Sequence, residues 1–291
     1  MSHTSALIAL HASVALFGFA GLFGKWLALS PVAIVLGRTA IAAVALGLLR
    51  VRSDERAPFD VRLIANGVVL AVHWLAFFAA VQVSTVAVGL LGYACFPLFT
   101  LAVERVFLAR RLRRREGVTA LLVAGGLVLL VPEPSLSNPV VQGLGWGLVS
   151  GFTFALLVVM NRRWTASRTA TDITFWQNLL AALVLLPFMW AAPWEIGSIG
   201  GREIMLLLVL GVACTALSHT LFVGALAALS AHTASVVAAL EPVYGIVLAL
   251  AFLGEVPGPR TLVGGALIVA AAVITTHRSR LATVPSRRRI R

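Results

Sequence analysis

Apolar residues run along this chain in ten long blocks, separated by short polar or turn-forming segments. The blocks cover about residues 5–28, 31–50, 61–81, 84–106, 116–132, 141–161, 171–191, 203–225, 231–253 and 259–277. A helix needs about 20 largely apolar residues to cross a hydrocarbon core of about 30 Å. The pattern therefore predicts ten transmembrane helices. The breaks carry turn chemistry or charge: Ser30-Pro31, the Arg50–Asp60 segment, the Arg110–Arg115 run, Pro132 to Pro139, and Pro257-Gly258-Pro259. The break around Ala227–Ala231 is the weakest, so a count of eight or nine stays open.

Composition agrees with the pattern. The 291 residues are 60% hydrophobic and 12% charged, with a mean hydropathy of +0.98. A soluble globular chain is about 45–50% apolar and about 25% charged, so lipid is the solvent this chain expects. Its formal charge of +12 would suggest nucleic acid in a soluble protein. Here the basic residues flank apolar blocks, which is what membrane insertion requires, and no nucleic-acid partner is expected.

The flanking charges also set an orientation. With the N-terminus in the cytoplasm, 19 Lys and Arg residues fall inside, three (Lys25, Arg202 and Arg260) fall outside, and Arg38 lies within the second block. A wrong helix count would scramble this bias, so it supports an N-in, C-in topology. The two cysteines, Cys95 and Cys214, sit in apolar runs and read as small hydrophobes. Ser5 to Leu29 is too long for a signal-peptide core and lacks a basic leader, so a retained first helix is expected.

The chain also repeats itself. The fourth and ninth blocks align without a gap at an offset of 145, setting Phe96-Pro97-Leu98-Phe99 against Glu241-Pro242-Val243-Tyr244. The first and sixth align near 138, and the second and seventh near 140, which places Arg38 opposite Asn178. Five helices per half is an odd number, so the second copy enters the membrane from the opposite side. Inverted repeats of this kind are a transporter architecture, because exchanging the two half-conformations alternates access. The expected division is a first repeat over 1–135, a second over 136–279, and a basic, disordered cytoplasmic tail over 280–291.

The run Ala238-Ala239-Leu240-Glu241-Pro242-Val243-Tyr244, with Leu253-Gly254-Glu255 and Gly264-Gly265 after it, resembles the signature of the drug/metabolite transporter superfamily, in its EamA-type members. The resemblance covers about residues 5–277. The first half keeps Pro97-Leu98 but has Arg110 where the family shows a glutamate, which weakens any reading of Glu255 as one of a symmetric pair. The resemblance implies export of amino acids, other metabolites or drugs. Aromatic and hydrophobic amino acid exporters are the nearest likeness. It also implies a central cavity built from the first four helices of each half, in a bacterial inner membrane.

Ionisable groups at membrane depth are expensive and are functional candidates by default. Glu241 suits a proton or a substrate amine, or alternatively bonds backbone freed around Pro242. Pro97 and Pro242 each leave the carbonyl four residues earlier, on Tyr93 and Ala238, without its helical partner. Paired kinks of that kind serve as a gating hinge or as static shape. Asn66, His73 and Phe77 share one helical face with Trp74 adjacent. With Tyr93 and Tyr244 they form a candidate pocket for an aromatic or cationic solute; the alternative is plain packing with His73 as an interhelical bond.

Thr215, Ser218, His219 and Phe222 make a similar face, with His219 as a candidate pH-sensitive group or a structural partner. His11, Gln177 and Asn178 are weaker candidates, and Arg38 reads foremost as a fixed structural charge. Trp26, Trp164, Trp190 and Trp194 lie near block ends and fit an interfacial belt. Gly143, Gly147 and Gly151 are expected to build contact between the halves rather than a dimer face.

The expected partners are a small-molecule solute and membrane lipid, with a monomeric chain and no cofactor or metal. An integral membrane enzyme and a channel are the competing classes. The sequence holds no HExxH, GxSxG, P-loop or acidic metal-spaced cluster to favour the enzyme. Proton antiport and facilitated diffusion both stay open.

Overall fold

A computed structural model describes residues 3–51, 57–108, 114–131, 133–190, 199–229, 234 and 237–279. The tail over 280–291 and Arg110 lie outside the described residues, as do Pro132 and Trp194. The described elements are helices: α1 His3–Ala20, α2 Phe23–Trp26, α3 Pro31–Val51, α4 Leu63–Val83, α5 Val86–Tyr93, α6 Phe96–Leu108 and α7 Arg114–Leu130. They continue with α8 Pro139–Trp164, α9 Ala170–Trp190, α10 Gly201–Gly211, a π turn Val212–Leu217, α11 Ser218–Ala228, α12 Glu241–Leu253 and α13 Pro259–Ser279.

Local chemistry sets where these helices begin and end. Thr85 accepts from the Val88 N–H at 3.2 Å and caps α5, while Asn138 caps α8 ahead of Pro139. At the end of α12, Gly254 takes a left-handed conformation with φ of 67°, which a glycine adopts without a Cβ clash. That turn delivers Glu255 to the first half of the chain. Its Oε2 accepts from the Val86 N–H at 3.0 Å, so a carboxylate meets the free amides at the start of α5.

Among the described residues, seven helices are long and apolar enough to cross a membrane, and three further apolar helices are shorter. Bulky apolar side chains such as Val44, Leu121, Leu186, Phe188, Val247 and Phe252 point outward around the molecule. A patch on that scale needs lipid rather than water against it. The chain is a multi-pass helical membrane protein.

Three blocks differ from the pattern. The fourth is a broken helix, not a kinked one: α5 ends at Tyr93, Ala94 and Cys95 form a turn, and α6 starts at Phe96. The eighth is continuous but contains the π turn, which no periodicity signals. In the ninth, a turn at Ala239 and Leu240 follows helical Val237 and Ala238, and α12 then runs over Glu241–Leu253.

Packing joins residues far apart in the chain. α4 lies against α8 and α9, α1 against α11 and α12, α5 and α6 against α8, α3 against α9 and α10, and α7 against α13. The glycine stripe of α8 lets one of these contacts close. A Cβ at Gly147 would sit 2.9 Å from Gly92 Cα, and one at Gly151 would sit 2.7 Å from the Tyr93 carbonyl oxygen. Small residues permit this backbone approach, and the stripe is an intramolecular contact as expected.

Candidate functional site

The central feature is an aromatic cavity assembled from five helices. Phe17 of α1, Trp74 and Phe77 of α4, Tyr93 of α5 and Phe154 of α8 line it, with His73 and Glu241 as its polar members. His73 lies 4.6 Å from Trp74, 5.2 Å from Phe154 and 5.8 Å from Tyr93 between ring centroids. The gaps between these residues are too narrow for a water molecule. The cavity is therefore contracted, and a solute needs the surrounding helices to move apart.

The helix breaks supply its polar end. Glu241 starts α12 right after a turn at Ala239 and Leu240, and it is 2% exposed. Pro97 and Pro242 stand at the second positions of α6 and α12, where a missing N–H leaves no helical bond unmade. Tyr93 and Glu241, from the two break regions, line the same cavity and interact there. The second Glu241 oxygen, Oε2, has no hydrogen-bond partner. A buried acceptor without a donor is costly to keep, which is why it ranks as a candidate contact for a solute.

His73 is partly committed to structure. Its Nδ1 lies 2.9 Å from the Ser150 carbonyl oxygen and 3.0 Å from the Ser150 hydroxyl on α8. His219 stands behind the lining, 5.1 Å from Phe17 and 5.7 Å from Trp74 between centroids. Tyr244 is not part of the lining; its hydroxyl meets His11 Nδ1 at 3.2 Å at an exposed position. Tyr244 lies one turn after Glu241 on a neighbouring face of α12, and its ring is directed to His11 on α1. Phe17 and Phe154 line the cavity without having been singled out, because an aromatic residue in an apolar block carries no signal of its own.

Arg38 is fully buried beside this cavity. Its guanidinium carbon lies 3.5 Å from the Trp74 ring centroid, a cation–π contact. Nε donates to Thr215 Oγ1 at 2.9 Å, and Nη2 donates to the Cys214 carbonyl at 3.2 Å, both within the π turn. π turns of this type open the hydrogen-bond ladder and gather at functional positions. Thr215 in turn donates to the Leu210 carbonyl five residues back, at 2.7 Å.

A second cavity of about 470 Å³ opens at the ends of α4 and α8, lined by Arg62, Asn66, Arg163, Trp164 and Ser167 among others. Trp164 donates from Nε1 to Asn66 Oδ1 at 3.3 Å, and Arg62 and Arg168 lie over its ring. Its role is thus tied to this vestibule, beyond an interfacial belt. At the rim, Arg62 binds Asp60 at 2.6 Å and its hydrogen bonds lower the Asp60 carboxyl to about 2. Deeper in, Asn66 donates to Asn161 Oδ1 at 3.0 Å, and Gln177 Nε2 donates to the same oxygen. Asn178 is also buried, donating to the Thr174 carbonyl at 2.8 Å. Asn66 and His73 share a face of α4, so this amide cluster stands between the vestibule and the aromatic cavity.

The profile of the EamA-like transporter family matches the chain twice, over residues 4–131 and 141–277. The chain belongs to the EamA-like transporter family. It is 28% identical over 299 residues to a probable terminal-alkyne amino-acid exporter of Streptantibioticus cattleyicolor, covering 98% of this chain and 94% of that one. It is 28% identical over 211 residues to the pseudopaline exporter CntI of Pseudomonas aeruginosa, covering 72% and 73%. Protein RarD of Salmonella typhi is 30% identical over 224 residues, covering 75% and 73%. One solved crystal structure superposes with a TM-score of 0.66 at 18% identity, covering 97% of this chain and 100% of that one, and so shares the fold. Family membership makes this chain a transporter rather than an enzyme, with a small-molecule solute.

Proposed function

We propose that this protein is a secondary transporter that exports small metabolites by alternating access, with aromatic or hydrophobic amino acids as the favoured solutes. The observation that carries this reading is the aromatic cavity with Glu241 at a helix break, buried with one unpartnered oxygen. Aromatic rings bury an apolar side chain, and a carboxylate at membrane depth meets an amine. The names of two relatives, an amino-acid exporter and the pseudopaline exporter, support export of a metabolite. Export of cationic drugs is the competing reading.

In this proposal His73, Trp74, Phe77, Tyr93 and Glu241 contact the solute, His219 backs them, and Tyr244 joins them only in another conformation. Breaks ahead of Pro97 and Pro242 are the hinges. The chain has ten spanning helices in two inverted halves, 1–135 and 136–279, N-in and C-in, and works as a monomer in a bacterial inner membrane. Two observations support the inverted repeat. The family profile matches once in each half, and the helix contacts pair up under exchange of the halves: α4 with α8 corresponds to α1 with α11, and α3 with α9 and α7 with α13 map onto themselves.

Counterflow in proteoliposomes tests the reading, using a panel of aromatic and branched amino acids and cationic dyes. Saturable exchange of an amino acid is expected. Flux that rises linearly with concentration would make the protein a channel, and saturable exchange of dyes alone would make it a drug exporter.

A further inference from the structure

We infer that Arg38, with the Trp74 and His219 ring nitrogens beside it, forms a carboxylate-recognition site at the edge of the aromatic cavity. This inference rests on the transport reading above and narrows its solute to one that carries a carboxylate.

The argument starts from a charge without a counter-charge. Arg38 is fully buried in α3, and no carboxylate of the described residues forms an ion pair with it. Its polar partners, Thr215 Oγ1 and the Cys214 carbonyl, are neutral. They hold the guanidinium in place, and Trp74 stabilises its face, but none of them removes the net charge. A buried cation in that position is strongly unfavourable on its own. Arg is also the side chain whose planar fork suits a carboxylate in two-point contact.

A second observation points the same way. Arg38 Nη1, Trp74 Nε1 and His219 Nε2 are all buried without a hydrogen-bond partner. They belong to side chains in mutual contact, with Arg38 on the Trp74 face and the His219 ring 5.7 Å from Trp74 between centroids. Arg38 and Trp74 are obligate donors, and His219 donates in one tautomer. Around the aromatic cavity these three nitrogens lie on the Arg38 side, and a carboxyl oxygen of Glu241 belongs to the lining itself; the other buried unpartnered atoms among the described residues, Trp176 Nε1, Gln177 Oε1 and Asn178 Oδ1, all belong to α9. A solute with a carboxylate, an ammonium and an apolar side chain complements all three regions once the cavity opens. A simple organic cation leaves Arg38 uncompensated and repels it.

The test uses the full chain reconstituted in liposomes and counterflow of radiolabelled L-phenylalanine. The competitors are unlabelled L-phenylalanine and L-phenylalaninamide, which keeps the ring and the amine and lacks the carboxylate. Against the wild-type chain the amide is expected to compete at least about tenfold more weakly than the acid, the loss of one charge-assisted contact. Equal competition overturns the inference. Arg38→Met, neutral and of similar length, is expected to raise half-saturation for phenylalanine by about tenfold or more. Arg38→Lys, which keeps charge without the fork, falls between. An Arg38→Met protein that is monodisperse and keeps wild-type half-saturation overturns the inference. Should Arg38→Met not fold, the acid–amide comparison on the wild-type chain decides by itself. A wild-type chain that exchanges the amide and not the acid overturns this inference while transport stands; saturable exchange of neither overturns both.

Discussion

Arg50 at the end of α3 and Asp172 in the first turn of α9 meet at 2.7 Å, which ties together the ends of two helices that pack along their length. Arg168 reaches the other Asp172 oxygen at 2.6 Å. Both arginines also hold the segment ahead of α4, Arg50 through the Ala57 carbonyl at 3.2 Å and Arg168 through that of Pro58. Asp172 is 1% exposed, so this cluster works at low dielectric and has little water to replace it.

Asp172→Asn is expected to lower stability by about 2–4 kcal/mol, because it leaves two partly buried guanidinium groups without a counter-charge. Arg50 is the more exposed of the two, so Arg50→Lys is expected to cost about 1 kcal/mol. Thermal unfolding in detergent checks both, and equal shifts for the two variants would contradict the argument.

Glu255 acts at a distance in sequence. Glu255→Ala removes the acceptor for the Val86 N–H and is expected to destabilise the protein by about 1 kcal/mol. Glu255→Gln keeps an acceptor and loses only the charge, so its effect should be about half as large. The same unfolding measurement separates a capping role from a solute-coupled one, since a cap alters stability with no solute present.

The glycine stripe offers a paired test. Gly147→Val places side-chain atoms against Gly92 backbone, which cannot give way, and an expected loss of more than about 3 kcal/mol should prevent folding. At Gly145 a Cβ meets nothing within 4 Å. Gly145→Ala is therefore expected to be neutral or to stabilise by about 0.5–1 kcal/mol. Size-exclusion profiles and unfolding temperatures report both outcomes.

The amide cluster adjoins the vestibule through Asn66, and the expectation is that it acts as a barrier there. Asn161 Oδ1 accepts from both Asn66 and Gln177, so Asn161→Ala removes the shared acceptor. Losing these two hydrogen bonds, each a modest net contribution, from the closed arrangement is worth about tenfold in opening. A thiol placed by Leu70→Cys, one turn below Asn66, should react about tenfold faster with a membrane-impermeant maleimide in the Asn161→Ala background. Cys95 and Cys214 are both buried and give a low background. An unchanged rate would place the barrier elsewhere.

By itself the sequence determined the solvent, the class of fold and the family. Block length, loop arginines and the Glu241-Pro242 run are local properties, set by the energetics of apolar spans and turns. It also singled out His73, Trp74, Phe77, Tyr93 and Glu241, because polar and aromatic groups stand out against an apolar background. Tertiary structure decided what those residues do together. It turned Tyr244 toward His11, brought in Phe17 and Phe154, and made Glu255 a cap for a helix 169 residues away. It gave Trp164, at a block end, partners in a polar vestibule. Above all, it set Arg38 over Trp74 through a π turn that no helical periodicity encodes. Helix ends and their breaks depend on which distant groups satisfy the freed backbone, and that information exists only once the helices have packed.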